Sequence, residues 1–178
     1  ADHAADGSMG VVKKENVLWA DVTTVREGRR ETILRHVANI LRERRISTFT
    51  LQDVASELGM TKGSLYYYFK DKQELIFCCH MRSMEHSLHA LETARAADLP
   101  PVDALRMLLG LHIRAVVNKG FGALLQTDLE NLNPKQREDY VGQRDVFEHG
   151  VRALIQEGVS SGELEGSNVK IAGFTMLG

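Results

Sequence analysis

The stretch Thr50 to Leu75, TLQDVASELGMTKGSLYYYFKDKQEL, constrains this chain more than any other. It spells two short helices, a tight turn, three consecutive tyrosines and a lysine-bearing loop. Thr50 suits a helix cap, because its hydroxyl can accept from a backbone N–H of the first turn. Asp53, three residues on, makes an acidic variant of the capping box, and its charge favours a helix N-terminus. Leu51, Val54, Ala55 and Leu58 then share one apolar face at helical spacing. Gly59 follows at once and can stop the helix in a left-handed conformation. Thr61 is the next cap. Lys62, Gly63 and Ser64 open a second helix, with Leu65 and Phe69 turned inward. Two helices about four residues apart around a central glycine match the helix-turn-helix pattern. In that motif the N-terminal residues of the second helix reach base edges.

With Arg30 to Leu41 ahead of it, this stretch resembles the DNA-binding domain of the TetR family of bacterial transcriptional regulators. The matching elements are a first helix with Ile33, Leu34, Val37, Ala38 and Leu41, then Thr50, Val54-Ala55 and Leu58-Gly59. Lys62-Gly63-Ser64-Leu65-Tyr66, Tyr68-Phe69, Lys72 and Leu75 complete the pattern. About 45 residues are covered, roughly a quarter of the chain. The resemblance implies that Gln52, Lys62, Gly63, Ser64 and Tyr66 approach bases or lie in the groove. It implies that Thr50, Thr61, Tyr67, Tyr68 and Lys72 hold phosphates. The family pattern Leu-Tyr-x-His-Phe carries Tyr68 here in place of its histidine. A phenol can still donate to a phosphate oxygen, so the role is expected to survive. The competing reading of the tyrosines is ordinary packing. Phe69 and part of Tyr66 are expected to pack on the first helix, with at least two of the tyrosines touching DNA.

Composition agrees. The chain has 178 residues, 43% hydrophobic, with 3 prolines, which suits one or two domains of mostly helix. The net charge of −2 is not that of a nucleic-acid binder. Its distribution is more telling. Arg26 to Leu75 holds 10 Lys/Arg against 7 Asp/Glu, a net of +3, and the remainder holds 12 against 17, a net of −5. A basic head on an acidic body fits a DNA-binding domain attached to something else. There is no signal peptide and no apolar run of about 18 residues, so no membrane span is expected. Cys78 and Cys79 are adjacent and cannot bridge distant segments, which points to a reducing cytoplasm.

The expected fold is all-α, a helix-turn-helix head followed by a helical ligand-binding and dimerisation body. Residues 1–25 form an arm, largely disordered; 26–72 form the head; 73–178 form the body. Val17, Leu18 and Trp19 are too apolar for a free tail, so they pack on the body or form a short extra helix. Lys13 and Lys14 are candidates to reach a minor groove. In the body, helices are expected from Gln73 to about Ala97, Asp103 to Asn118, Phe121 to Thr127 and Pro134 to about Val159. Asn168 is expected to cap a last helix. Leu75, Ile76, Cys79, Met81, Leu88 and Leu91 lie partly on one side of the first of these, and Leu105, Leu108, Leu109, His112, Val116 and Val117 are apolar or near the apolar face of the second. Tyr140, Val141, Val146, Phe147, Val151, Leu154 and Ile155 are inward on the fourth.

The resemblance implies that the body helices form an effector pocket and a dimer interface. Candidate lining residues are Met107, Leu111, His112, Phe121, Leu125, Tyr140, Arg144 and Phe147, against plain core packing for each. The run from Leu132-Asn133-Pro134 through Tyr140, Arg144, Glu148 and Gly158 to Gly162-Glu163-Leu164 resembles the branch that senses acyl-CoA thioesters and related lipid or aromatic acids. Arg144 or Arg114 can pair with a carboxylate or a CoA phosphate, though a surface salt bridge is the commoner fate of such an arginine.

Cys78, Cys79, His80, His86 and His89 crowd one helix, and thiolates and imidazoles are metal ligands. Consecutive residues on a helix point about 100° apart, so 78, 79 and 80 cannot converge. No metal and no other cofactor is expected. No catalytic motif is present: no glycine-rich phosphate loop after a strand, no His-Glu-x-x-His and no paired carboxylates in a defined setting. The expected function is a ligand-responsive regulator and not an enzyme. As a homodimer it would bind a palindromic double-stranded DNA operator and be released by a small hydrophobic or acyl-CoA-type effector. The alternatives are a repressor sensing multiple drugs or aromatic compounds, and a helical adaptor that binds no DNA. The dimer interface is expected from the last two helices, the second beginning about where the chain ends.

Overall fold

The computed structural model describes residues 11–43, 49–119 and 129–165. Six α-helices run in order among them: α1 (Val11–Glu43), α2 (Leu51–Glu57), α3 (Lys62–Tyr66), α4 (Lys72–Ala96), α5 (Pro101–Lys119) and α6 (Pro134–Ser160). A single 3-10 turn, Leu129–Asn131, precedes α6. The described residues are helical with no strand, the all-α fold that the sequence implies.

Each start is written locally. Thr50 and Asp53 form a complete capping box at α2. Asp71 accepts from the Glu74 N–H at 2.7 Å and starts α4. Asn133 and Gln136 form a second capping box at α6, with Pro134 in the first turn, where its missing N–H costs nothing. Gly59 ends α2 at a φ of 62°. The Gly59 N–H donates to the Ser56 carbonyl and the Met60 N–H to the Ala55 carbonyl, which satisfies two orphan acceptors at once.

One region differs from the sequence reading. Residues 11–25, expected as a disordered arm with the head starting at 26, are the first part of α1. No proline falls between Val11 and Glu43, and Gly28 is the lone glycine there, so nothing stops the helix. Ala1–Gly10, the expected helix Phe121–Thr127 and the expected cap Asn168 lie outside the described residues.

Ile33, Leu34, Val37, Ala38 and Leu41 of α1 are buried against Phe49, Leu51, Val54, Ala55, Leu65 and Phe69. The same core continues through Leu75, Ile76 and Cys79 into α4, α5 and α6, which pack on one another. Head and body therefore share one hydrophobic interior, with α4 as its spine. Polar ties follow the same route. Arg30 of α1 donates to the Cys78 Sγ at 2.9 Å, Cys79 donates to the Leu34 carbonyl, and Arg82 meets Glu31 at 2.9 Å. Exposed ion pairs contribute at most about 1 kcal/mol each, so burial carries the stability.

In the body the apolar face is not where apolar residues alone would put it. Met81 and Leu88 are half-buried, and His80, Ser83, Met84 and Ser87 complete the buried face of α4. Val146, expected inside, is 62% exposed, and Leu109, on the apolar side of α5, is 37% exposed. The side chains of Val116 and Val117 lie outside the described residues.

Candidate nucleic-acid interface

The caps of α2 and α3 leave one edge of the head facing solvent. Thr61 accepts from the Ser64 N–H at 3.1 Å, which fixes the first turn of α3. Behind that turn Leu65 and Phe69 are buried. In front of it Lys62, Gly63 and Ser64 are exposed, with Gln52 on α2 beside them in sequence register. A Cβ built on Gly63 would meet nothing closer than the Thr61 Oγ1 at 3.9 Å. Glycine in a helix costs about 1 kcal/mol relative to alanine, and nothing inside this chain requires it there. The first turn of α3 is thus open to solvent at Gly63.

The tyrosines divide. Tyr66 and Tyr67 are 45% and 64% exposed, while Tyr68 is half-buried and meets Tyr67 edge-to-face at 5.1 Å. Tyr66 is partly exposed, whereas Phe69 is buried beneath the Arg30 guanidinium at 5.0 Å. Lys62 lies over the Tyr66 ring at 5.8 Å and Arg26 over the Tyr67 ring at 5.0 Å. Arg29, Thr61, Ser64, Tyr67 and Tyr68 line one cleft of about 430 Å³. Four hydroxyls and a guanidinium around an open cleft suit a phosphate.

Arg26 and Arg29 escape the sequence reading. The signal is their place on the stretch of α1 that precedes the apolar face. Negative charge near the edge is engaged: Asp53 in the capping box, and Glu57 with His36 at 2.9 Å.

Two expected phosphate contacts have other partners. The Thr50 hydroxyl donates to Asp53 at 2.8 Å and its N–H donates to the same carboxylate at 2.7 Å. A phosphate contact from Thr50 has to displace Asp53. Lys72 is half-buried, and its ammonium donates to the Phe49 carbonyl at 2.5 Å. Burial pushes its pKa down, with the Asp53 charge opposing.

The expected effector-side residues separate into groups. His112 of α5 stacks on Phe147 of α6 at 6.1 Å and lies 3.4 Å from the Ser87 hydroxyl. Burial lowers the His112 pKa. Tyr140 is fully buried beside the His80 ring at 5.3 Å, and burial raises its pKa while the nearby Arg144 charge lowers it. Arg144 meets Asp145 at 3.3 Å. Met107 is half-buried on the core. Leu111, partly buried against the core, lines a groove with His86, His89 and Arg114. Phe121 and Leu125 lie outside the described residues. His80, Ser83 and Ser87 form a buried polar stripe on α4, spaced by three and four, which the apolar pattern of the helix does not reveal. Among the described residues no cluster of His, Cys, Asp and Glu could hold a metal ion. No helix among them is long and apolar enough to cross a membrane.

Residues 33–78 match the family model of bacterial regulatory proteins of the tetR family, and residues 98–178 match the tetracyclin repressor-like C-terminal domain. The chain is 28% identical to the TetR family transcriptional regulator PfmR of Thermus thermophilus, with a TM-score of 0.70 over 80% of this chain and 79% of that one. It is 23% identical over 145 residues to the HTH-type transcriptional repressor KstR2 of Rhodococcus jostii, covering 80% of this chain and 71% of that protein. It shares its fold, at 19% identity and a TM-score of 0.73 over 84% and 82% of the two chains, with AibR in complex with isovaleryl coenzyme A and operator DNA. The chain spans 38% to 71% of the lengths of the curated relatives it matches. These families and relatives are transcriptional regulators and not enzymes. With a tetR-type head and a tetracyclin repressor-like domain on one helical frame, this chain belongs to the TetR family of bacterial transcriptional regulators.

Proposed function

We propose that the protein is a dimeric repressor that binds a palindromic operator and is released by a small hydrophobic or acyl-CoA-type effector. The observation that carries the reading is the solvent-facing first turn of α3, held by the Thr61 cap and opened by Gly63. Lys62, Gly63, Ser64, Tyr66 and Gln52 are the proposed groove contacts. Thr61, Tyr67 and Tyr68 are the proposed phosphate contacts, joined by Arg29 and Arg26; Thr50 and Lys72 act there while also bracing the head. The proposed division is a head ending near Lys72 and a body from Gln73 onward, with dimer contacts made by the body.

In a dimer the two heads sit about 34 Å apart, or a multiple of it, to read two half-sites. The effector prefers a spacing that mismatches the operator. It weakens DNA binding by the difference in its affinity for the two states and by no more. The lever is α4, which follows the reading head directly. Its first turn also meets the turn before α6: the Gln73 amide donates to the Asn131 carbonyl at 2.8 Å. Support for the effector class comes from AibR, of like fold and bound to isovaleryl coenzyme A and operator DNA. A repressor sensing multiple drugs or aromatic compounds is the second reading, favoured by the stacked His112 and Phe147.

The test is fluorescence anisotropy on the gene's own neighbouring promoter, with and without a panel of acyl-CoA thioesters. Salt-sensitive, sequence-selective binding that one thioester abolishes supports the whole reading. Selective binding untouched by any thioester leaves the regulator and removes the effector class. Equal binding to random DNA at every salt concentration sinks the operator-binding proposal.

A further inference from the structure

On the outer edge of α4, His86, His89 and Ala90 face Leu111, Arg114 and Ala115 of α5 across a groove of about 270 Å³. This groove is separate from the His112–Phe147 stack. Its floor is apolar, and none of the described residues that line it is a carboxylate. Every arginine of α4, α5 and α6 other than Arg114 is held by the protein. Arg82 meets Glu31 and Glu85, Arg95 meets Glu157, Arg106 meets Asp103, Arg144 meets Asp145 and Arg152 meets Glu148. Arg137 donates to the Leu129 carbonyl at 3.0 Å. Among the described residues Arg114 has no ion pair and no hydrogen-bonded partner, and it stands at the rim of this groove, which also carries two histidines.

We propose that this groove binds a small amphipathic acid, its apolar body on Ala90, Leu111 and Ala115 and its anionic head on Arg114. The inference rests on the reading of the chain as an effector-responsive regulator and names the chemistry of one effector site. Ligand pockets are mostly apolar with a few polar groups that fix orientation, and their volumes start near about 300 Å³. The groove sits at that lower end, which suits a short acyl or aryl body and not a whole nucleotide. An arginine holds a carboxylate with two parallel hydrogen bonds, so the acid is selected over the corresponding alcohol.

The experiment is isothermal titration calorimetry of the full chain with hexanoate, 1-hexanol and hexanoyl-CoA. Hexanoate is expected to bind about tenfold or more tightly than 1-hexanol. In Arg114→Gln that preference disappears while 1-hexanol binding is unchanged; Arg144→Gln serves as the control and keeps the preference. Hexanoyl-CoA binding that also depends on Arg114 assigns the anion to the thioester's phosphates; binding of hexanoate alone assigns it to a free carboxylate. Equal hexanoate affinity in folded Arg114→Gln, or no heat from any probe, overturns the proposal. Operator release followed in parallel separates the two ideas. Hexanoate that binds through Arg114 without releasing DNA leaves the groove and removes this acid as the effector. Release by a thioester that is indifferent to Arg114→Gln removes the groove as that effector's site and leaves the regulator.

Discussion

The Lys72 ammonium donates to the Phe49 carbonyl at 2.5 Å and lies 4.3 Å from the centre of the Phe49 ring. A residue at the start of α4 thus fastens the chain just ahead of α2. Lys72→Ala removes a charge-assisted hydrogen bond, at a cost of about 1–2 kcal/mol for a half-buried donor. The melting temperature is expected to fall by about 2–4 °C per kcal/mol lost. As a proposed phosphate contact it is also expected to weaken binding on all sequences alike and to lower the salt slope by about one. A lower melting temperature with an unchanged slope would give Lys72 the bracing role alone.

Gly63 gives a sharper separation of folding from binding. Its surroundings admit a methyl group, and its φ is an ordinary one. Gly63→Ala is expected to stabilise the head by up to about 1 kcal/mol through helix propensity. The same methyl group stands where the groove would come closest, so operator affinity is expected to fall about tenfold or more. Thermal melts and anisotropy on one preparation check both halves. Unchanged operator affinity would show that this turn does not approach DNA.

Lys62 separates base reading from phosphate holding. It is exposed at the first position of α3, over the Tyr66 ring. Lys62→Ala is expected to cost about 1–3 kcal/mol on the operator and to relax preference at one base position. Equal loss on operator and random DNA would refute the base-reading role.

What the sequence made legible is what is decided within a few residues. Thr50, Gly59, Thr61 and Asn133 act where they stand, because a cap or a left-handed glycine needs only its own turn. The buried faces of α2 and of the end of α1 follow from periodicity, since a stretch with one apolar stripe has one way to pack. The long helices of the body are harder. Ser83 and Ser87 are buried because the two neighbouring helices cover that face, and Leu109 and Val146 are exposed because their faces are uncovered in this chain. Periodicity marks an apolar residue but not what lies against it. Arg29 lines the cleft beside Thr61, Ser64, Tyr67 and Tyr68, and nothing in the weakly patterned stretch ahead of Ile33 announces its direction.

His112 carries the last prediction. It is half-buried between the Ser87 hydroxyl and the Phe147 ring, and burial lowers its pKa below the ordinary 6.5. Burial disfavours the imidazolium in the folded state, whereas the unfolded chain takes up the proton freely. Between the lowered folded pKa and 6.5 the unfolded state therefore holds more protons, and stability rises with pH across that window. The contribution is intact above 6.5 and is lost as pH falls through the folded value. Melts from pH 7.5 to pH 5 are expected to show a steeper fall for the wild type than for His112→Gln, which cannot titrate and can still meet Ser87. A second readout separates packing from protonation, because a ring that stacks on Phe147 only when neutral should shift its NMR resonances over the same range. Parallel melting curves for the two proteins would mean that His112 titrates alike in both states, and the depressed pKa would be wrong.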